Sequence, residues 1–241
     1  MRRAWLVLTL GGVACGETQT DTCGLANDEL SIVAVVVDRG DVVRAEIDFE
    51  AGDRTLDTTP LSVCEEETLR INDRTPTRTD KPERIVYSAN LDAAQTRTVT
   101  FSLSRSEDDT VTVAVDLPDA FDVTAPAPGE MVSRATDTVL TWVPDNPDGQ
   151  MRIELGEEIG GGICIFTDEG EHHYKDLGGI DVPDQGRWTI PGGSVQSDYG
   201  GPCNATYTLK RIAQGEYPAN LQEGGYVEAR VERTITFVSV D

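Results

Sequence analysis

Beyond its first fourteen residues this chain has no long apolar run. A bilayer-crossing helix needs about 20 consecutive apolar residues, so no helical span is expected after that point. No segment of ten or more residues carries apolar positions at helical spacing, which removes long amphipathic helices from the expected fold. Basic residues are scarce, 20 Lys and Arg against 43 Asp and Glu, for a net charge of −23. Such a surface repels phosphate backbones and argues against nucleic acid as a partner. There are two histidines, and they are adjacent. None of the five cysteines is spaced as CxxC, so neither a zinc site nor a redox dithiol is indicated.

What the chain does have is strand patterning. Val43, Ala45, Ile47 and Phe49 alternate with Arg44, Glu46 and Asp48; Val99, Phe101 and Leu103 alternate with Thr100 and Ser102; Val111, Val113, Val115 and Leu117 alternate with Thr112, Ala114 and Asp116. Near the end, Val227, Ala229, Val231, Ile235 and Phe237 share one face, with Arg233 as the polar exception on it. Period-two alternation with one apolar face predicts half-buried antiparallel sheets. The run Ile32–Val37 is denser and reads as a strand buried on both faces. Turn signals at 38–41, 107–109, 146–149 and 223–225 space these strands as in β-sandwiches. The expected class is all-β, two antiparallel sandwiches.

The first fourteen residues have two arginines, a short apolar core from Ala4 to Leu10, and small residues up to Ala14. This reads as a secretory signal. Gly12-Val13-Ala14-Cys15 resembles the lipobox of bacterial lipoproteins, with Gly12 where that motif usually has Leu. Gly12 and Ala14 also satisfy the small-x-small rule of ordinary cleavage. The short leader, the cysteine at the cleavage point and the polar stretch 16–22 favour lipidation. The resemblance implies a diacylglyceryl thioether and acylated amine on Cys15, hence a stable membrane anchor. Gly16, rather than Asp, follows Cys15, and in Gram-negative families this implies the outer membrane.

Lipidating Cys15 leaves Cys23, Cys64, Cys164 and Cys203, an even set suited to an oxidising compartment. Four cysteines allow three pairings. Cys23–Cys64 with Cys164–Cys203 is favoured, because each pair then lies within one expected domain or its tether. Paired prolines at 126 and 128 mark a junction. The expected organisation is a signal peptide at 1–14, a lipidated cysteine and flexible tether at 15–27, and sandwiches at 28–123 and 124–241. The stretch from Pro128 through Val139-Leu140-Thr141-Trp142 resembles the opening of immunoglobulin-like and fibronectin type III-like domains, where an early strand carries a core tryptophan. The whole layout resembles uncharacterised envelope lipoproteins with tandem sandwiches, a likeness that implies no activity and no site residues.

Candidate chemistry is sparse. His172 and His173 lie beside Asp168, Glu169 and Glu171, but neighbours on a strand point to opposite faces, so a polar hairpin tip is the simpler reading. Glu65–Glu67, Glu107–Asp109 and Asp145–Gly149 offer oxygens without the ligand spacing of a calcium loop. Gly160–Gly162 lacks the Lys-Ser/Thr and helix of a phosphate cradle. Ser194 lacks a nucleophile elbow. Trp188 and Tyr199 flank a glycine-rich stretch and offer stacking surfaces, though such residues more often anchor cores or loops. The reading is therefore no catalytic residue, no metal and no cofactor. A membrane-anchored envelope protein with a structural or protein-contact role is expected, its partners the membrane through Cys15 and an envelope or extracellular protein. The alternatives are a glycan- or calcium-binding module on the second sandwich and, third, an envelope hydrolase.

Overall fold

The computed structural model describes residues 20–51, 59–106, 109–156, 164–166, 179–197 and 200–241. Among these, strands account for nearly all regular structure, with one short 3₁₀ turn at Asn27–Glu29. The chain is all-β and built of packed sheets, as the alternation predicts.

The first half supplies β1 (Leu30–Asp38), β2 (Val42–Ala51), β3 (Thr59–Leu61), β4 (Thr68–Ile71), β5 (Thr77–Lys81), β6 (Arg84–Asp92), β7 (Thr98–Ser104) and β8 (Thr110–Asp116). The second supplies β9 (Asp122–Ala125), β10 (Met131–Ser133), β11 (Thr138–Val143), β12 (Gln150–Gly156), β13 (Cys164–Phe166), β14 (Ile180–Pro183), β15 (Arg187–Ile190), β16 (Val195–Ser197), β17 (Cys203–Gln214) and β18 (Tyr226–Val240). One sheet runs through both halves in the order β14-β12-β17-β18-β1-β2-β6-β5, with β3 on β2 and β10 on β18. Against it pack the sheets β4-β7-β8 and β15-β11-β9, while β13 and β16 pair with each other.

Two cores result. In the first, Ile32, Val36, Val43, Ile47 and Phe49 of the large sheet meet Val99, Phe101, Val111 and Val113 of the small one. In the second, Trp142, Ile153, Tyr207, Leu209, Ile235 and Phe237 meet across the layers. The apolar faces are those the alternation marks.

The two cores share a hairpin. β18 is 15 residues long, about 50 Å at strand rise. Its first part runs parallel to β1, Val33 beside Tyr226 through Asp38 beside Val231, and gives Val227 and Ala229 to the first core. Its later part gives Ile235 and Phe237 to the second. Antiparallel β17 follows it, from Cys203 beside Ser239 to Gln214 beside Glu228. The connection 215–225 seals the end of β1. There the Ile32 N–H donates to the Tyr217 hydroxyl at 3.2 Å, the Gln222 N–H donates to the Leu30 carbonyl at 3.0 Å, and Leu221 enters the first core. Gly225 makes the crossing possible, since a Cβ there would lie 2.1 Å from the Ile32 carbonyl oxygen.

β1 is buried almost throughout, and its outer face has a specific cover. Val33 lies between Asp48 and Tyr226, Val35 between Glu46 and Glu228, and Val37 between Arg44 and Arg230. Long charged side chains lay their stems over such valines while the heads stay wet. The heads pair with one another: Arg44 with Glu46 at 2.7 Å, Arg230 with Glu232 at 2.7 Å, and Arg84 with Asp48 at 3.5 Å.

Candidate functional site

Of the residues marked from sequence, Cys15, His172, His173 and Tyr199 lie outside the described residues, as do the signal peptide and Gly160–Gly162. Trp188 sits on β15 opposite Leu140 and packs half-buried against the second core. It stands at the edge of that core. Cys23 is bonded to Cys64 and Cys164 to Cys203, with Cα separations of 5.3 and 5.2 Å. Among the described residues, Cys23, Cys64 and Glu66 form the group of potential ligands close enough to share an ion. Both sulfurs are committed to their disulfide, so the group offers no thiolate.

The stretch read as the end of a flexible tether is fastened to the first sandwich from Asp21 onward. Asp21 bridges to Ser62, and Thr22 is completely buried. Its hydroxyl donates to Glu67 and accepts the Cys64 N–H at 3.1 Å. Arg105 closes this strap. Its Nε donates to Glu67 at 2.9 Å, one terminal nitrogen to the Asn27 side chain at 2.8 Å, and the other to the carbonyls of Thr22 and Leu25. The cleft beside the disulfide is lined by Leu25, Asn27, Glu66, Glu67, Arg105 and Asp109. Its one cation is spent on holding the strap.

The other polar concentration lies where the two cores meet. Asp184 is fully buried and Arg211 is 1% exposed. One Asp184 oxygen accepts the Trp142 indole N–H and the other the Arg211 Nε, each at 2.6 Å. The remaining guanidinium nitrogens donate to the carbonyls of Asp119 at 2.8 Å and Pro144 at 2.7 Å. Backbone contacts hold the carboxylate in place: Asn146 N–H to Asp184 carbonyl at 3.1 Å, and Asp184 N–H to Gly149 carbonyl at 3.2 Å. The Asp145–Gly149 loop, one of the acidic candidates, thus orients an ion pair through its main chain. Two guanidinium groups approach the Phe121 ring, Arg211 at 5.1 Å and Arg233 at 5.9 Å from its centre. Arg233, the polar exception on its strand face, reaches from there toward the Asp38 carbonyl of β1 at 3.4 Å.

Each oxygen of Asp184 is occupied, and the pair is closed to solvent. The arrangement suits fastening, not proton transfer. Asp184 and Arg211 carry no local signal in the sequence. The cue that exists is Trp142, whose buried indole N–H needs an acceptor.

The hydrogen bond from Arg152 holds the Asp181 carboxyl below its ordinary value against a smaller opposing effect of burial, and the same bond raises Arg152. A hydrogen bond to Asp80 likewise raises Arg78.

No protein-family model matches the chain, and no curated protein matches it. Among solved structures, the crystal structure of DIP-gamma IG1+IG2 aligns over 89% of this chain and 99% of that one, at 9% identity and a TM-score of 0.22.

Proposed function

We propose that the chain is an envelope lipoprotein, held at the outer membrane by lipid on Cys15, whose paired sandwiches act as a stiff, non-catalytic spacer and contact module. The sandwiches are read as immunoglobulin-like units at 28–123 and 124–241, with the β17–β18 hairpin reaching back into the first. One observation carries the mechanical part of this reading: a single hairpin contributes to both cores, so a load on one sandwich passes to the other through continuous strands. The Arg211–Asp184 pair and the Phe121 ring stand at the same joint. The strap supports the anchoring part. Only the short stretch between Cys15 and Asp21 separates the anchor from structure fastened by Arg105 and a disulfide, which keeps the first sandwich close to the bilayer.

The test is fractionation with acyl labelling. Wild type should enter the membrane fraction and take up labelled fatty acid. Cys15→Ser should do neither, because a serine hydroxyl cannot carry the thioether. Identical fractionation of the two without label overturns the anchored reading. Pulldown from envelopes with the anchored protein then identifies the contact partner.

A further inference from the structure

The ten-stranded sheet ends at β5, Thr77-Arg78-Thr79-Asp80-Lys81. All five residues are exposed, so the strand overhangs its sandwich and both of its faces are open. Its one described neighbour is β6, from Thr77 beside Ser88 to Lys81 beside Arg84. Only Pro82 and Glu83 connect the two strands, so Lys81 and Arg84 form the hydrogen-bonded pair next to the turn. Alternation then directs the main-chain groups of Thr79 toward β6 and those of Arg78 and Asp80 toward the open side. Edge strands are usually blunted by proline, a bulge or repelling charges. In β5 neither proline nor a bulge interrupts the strand, with prolines only beyond its ends at 76 and 82.

The charges on this edge are ordered in a way that selects a partner. Read antiparallel to itself about Thr79, the strand sets Arg78 opposite Asp80 of the other copy and Asp80 opposite Arg78. Thr77 then faces Lys81. The main-chain groups of Arg78 and Asp80 point to the open side, so each Arg78–Asp80 couple exchanges both of its backbone hydrogen bonds. Within one chain Arg78 and Asp80 already touch at 2.7 Å. Pairing closes them into a ring of four alternating charges, and opposite charges facing across strands stabilise a ladder. The surrounding stretch 70–81 has four basic residues (Arg70, Arg74, Arg78 and Lys81) against Asp73 and Asp80. It is therefore net positive in a chain of −23, a place where two such molecules can meet without opposing their acidic surfaces.

We infer that β5 is a self-association edge: two copies of this chain pair β5 antiparallel about Thr79 and join their ten-stranded sheets across a two-fold axis. An isologous contact of this kind closes at two copies. With five residues a side the contact is small, so the dimer is of the weak class and shows itself at high concentration.

Sedimentation equilibrium on the mature chain bearing Cys15→Ser tests it. The expected result is a monomer–dimer equilibrium. Arg78→Asp alone and Asp80→Arg alone each place like charges opposite and weaken dimerisation at least about tenfold. A mixture of these two variants should form a heterodimer, because one copy then carries acid at both positions and the other carries base at both. The double swap Arg78→Asp with Asp80→Arg should restore the homodimer. These positions are exposed, and circular dichroism confirms that each variant is folded. A second measurement is oxidation of Thr79→Cys. Facing Cα atoms in a non-hydrogen-bonded antiparallel pair lie about 4.5 Å apart, within disulfide reach, so covalent dimer should form at 79 and not with Asp73→Cys. A Cys15→Ser chain, otherwise unaltered, that stays monomeric at all concentrations, or a dimer indifferent to both single variants, overturns the proposal.

Discussion

Replacing Asp184 with alanine tests the joint between the two sandwiches. The substitution strands the Arg211 guanidinium, 1% exposed, without its carboxylate. Breaking a buried pair from one side costs about 3–5 kcal/mol, chiefly because the remaining charge stays uncompensated. The Trp142 indole also loses the acceptor now at 2.6 Å, adding about 1 kcal/mol. A total near 5 kcal/mol divided by a urea slope of about 3 kcal/mol per molar moves the unfolding midpoint down by about 1.7 M. The pair is sealed from solvent, so this loss should be the same at low and high salt. Asp184→Leu combined with Arg211→Met removes both charges and should recover most of the stability, as replacing buried pairs by apolar residues often does. Recovery should be incomplete, because the carbonyls of Asp119 and Pro144 lose their donors. Urea titration of Asp184→Leu, Arg211→Met and the double variant gives the coupling directly. A loss below about 1 kcal/mol for Asp184→Ala, or a double variant no better than the worse single one, refutes the reasoning.

Arg105→Met should free the strap, because one guanidinium holds Glu67, Asn27 and two carbonyls. The expected loss is about 3 kcal/mol, with limited proteolysis moving to residues 24–26. Asp181 stabilises through a depressed carboxyl, so its contribution is fully present above the ordinary carboxylate range and is lost as pH falls through the depressed value. The side chain is 52% exposed and screening keeps this to at most about 0.5 kcal/mol; Asp181→Asn should lower the melting temperature slightly at pH 7 and not at pH 2. Calcium at ~0.1–1 mM should raise the melting temperature no more than magnesium at equal ionic strength, since the acidic turns lack calcium-loop spacing. A saturating, calcium-specific rise would instead point to a site.

Strand identity is legible in the sequence because burial acts locally. Wherever one face of a strand meets a core, alternation records it, as in β2, β7, β8 and β18. Arg233 is legible as an exception, yet its reason is not: it stands on the inner face because that face passes the joint, where Phe121 and Asp38 receive it. Dense burial of Ile32–Val37 is legible too, but not its cause. The outer valines are flanked by charged residues from β2 and by Tyr226, Glu228 and Arg230 of β18, far along the chain. The parallel register of β1 with β18 leaves no trace in either segment alone. Asp184 and Arg211 escape a sequence reading for the same reason. An acid in a Pro-Asp-Gln-Gly turn and an arginine in an alternating strand look solvent-exposed until the fold brings them together.

The shared hairpin also sets an order of events during synthesis. The first sandwich is encoded early, yet β1 has only β2 beside it until β18 is made, and Leu221, Val227 and Ala229 are missing from its core. A nascent chain therefore presents an unpaired, valine-rich edge for most of its production, the kind of surface that invites mispairing. For such a chain, staying unfolded until β18 has been made is safer than folding unit by unit. Loss of β18 alone would leave both sandwiches unfinished, not one.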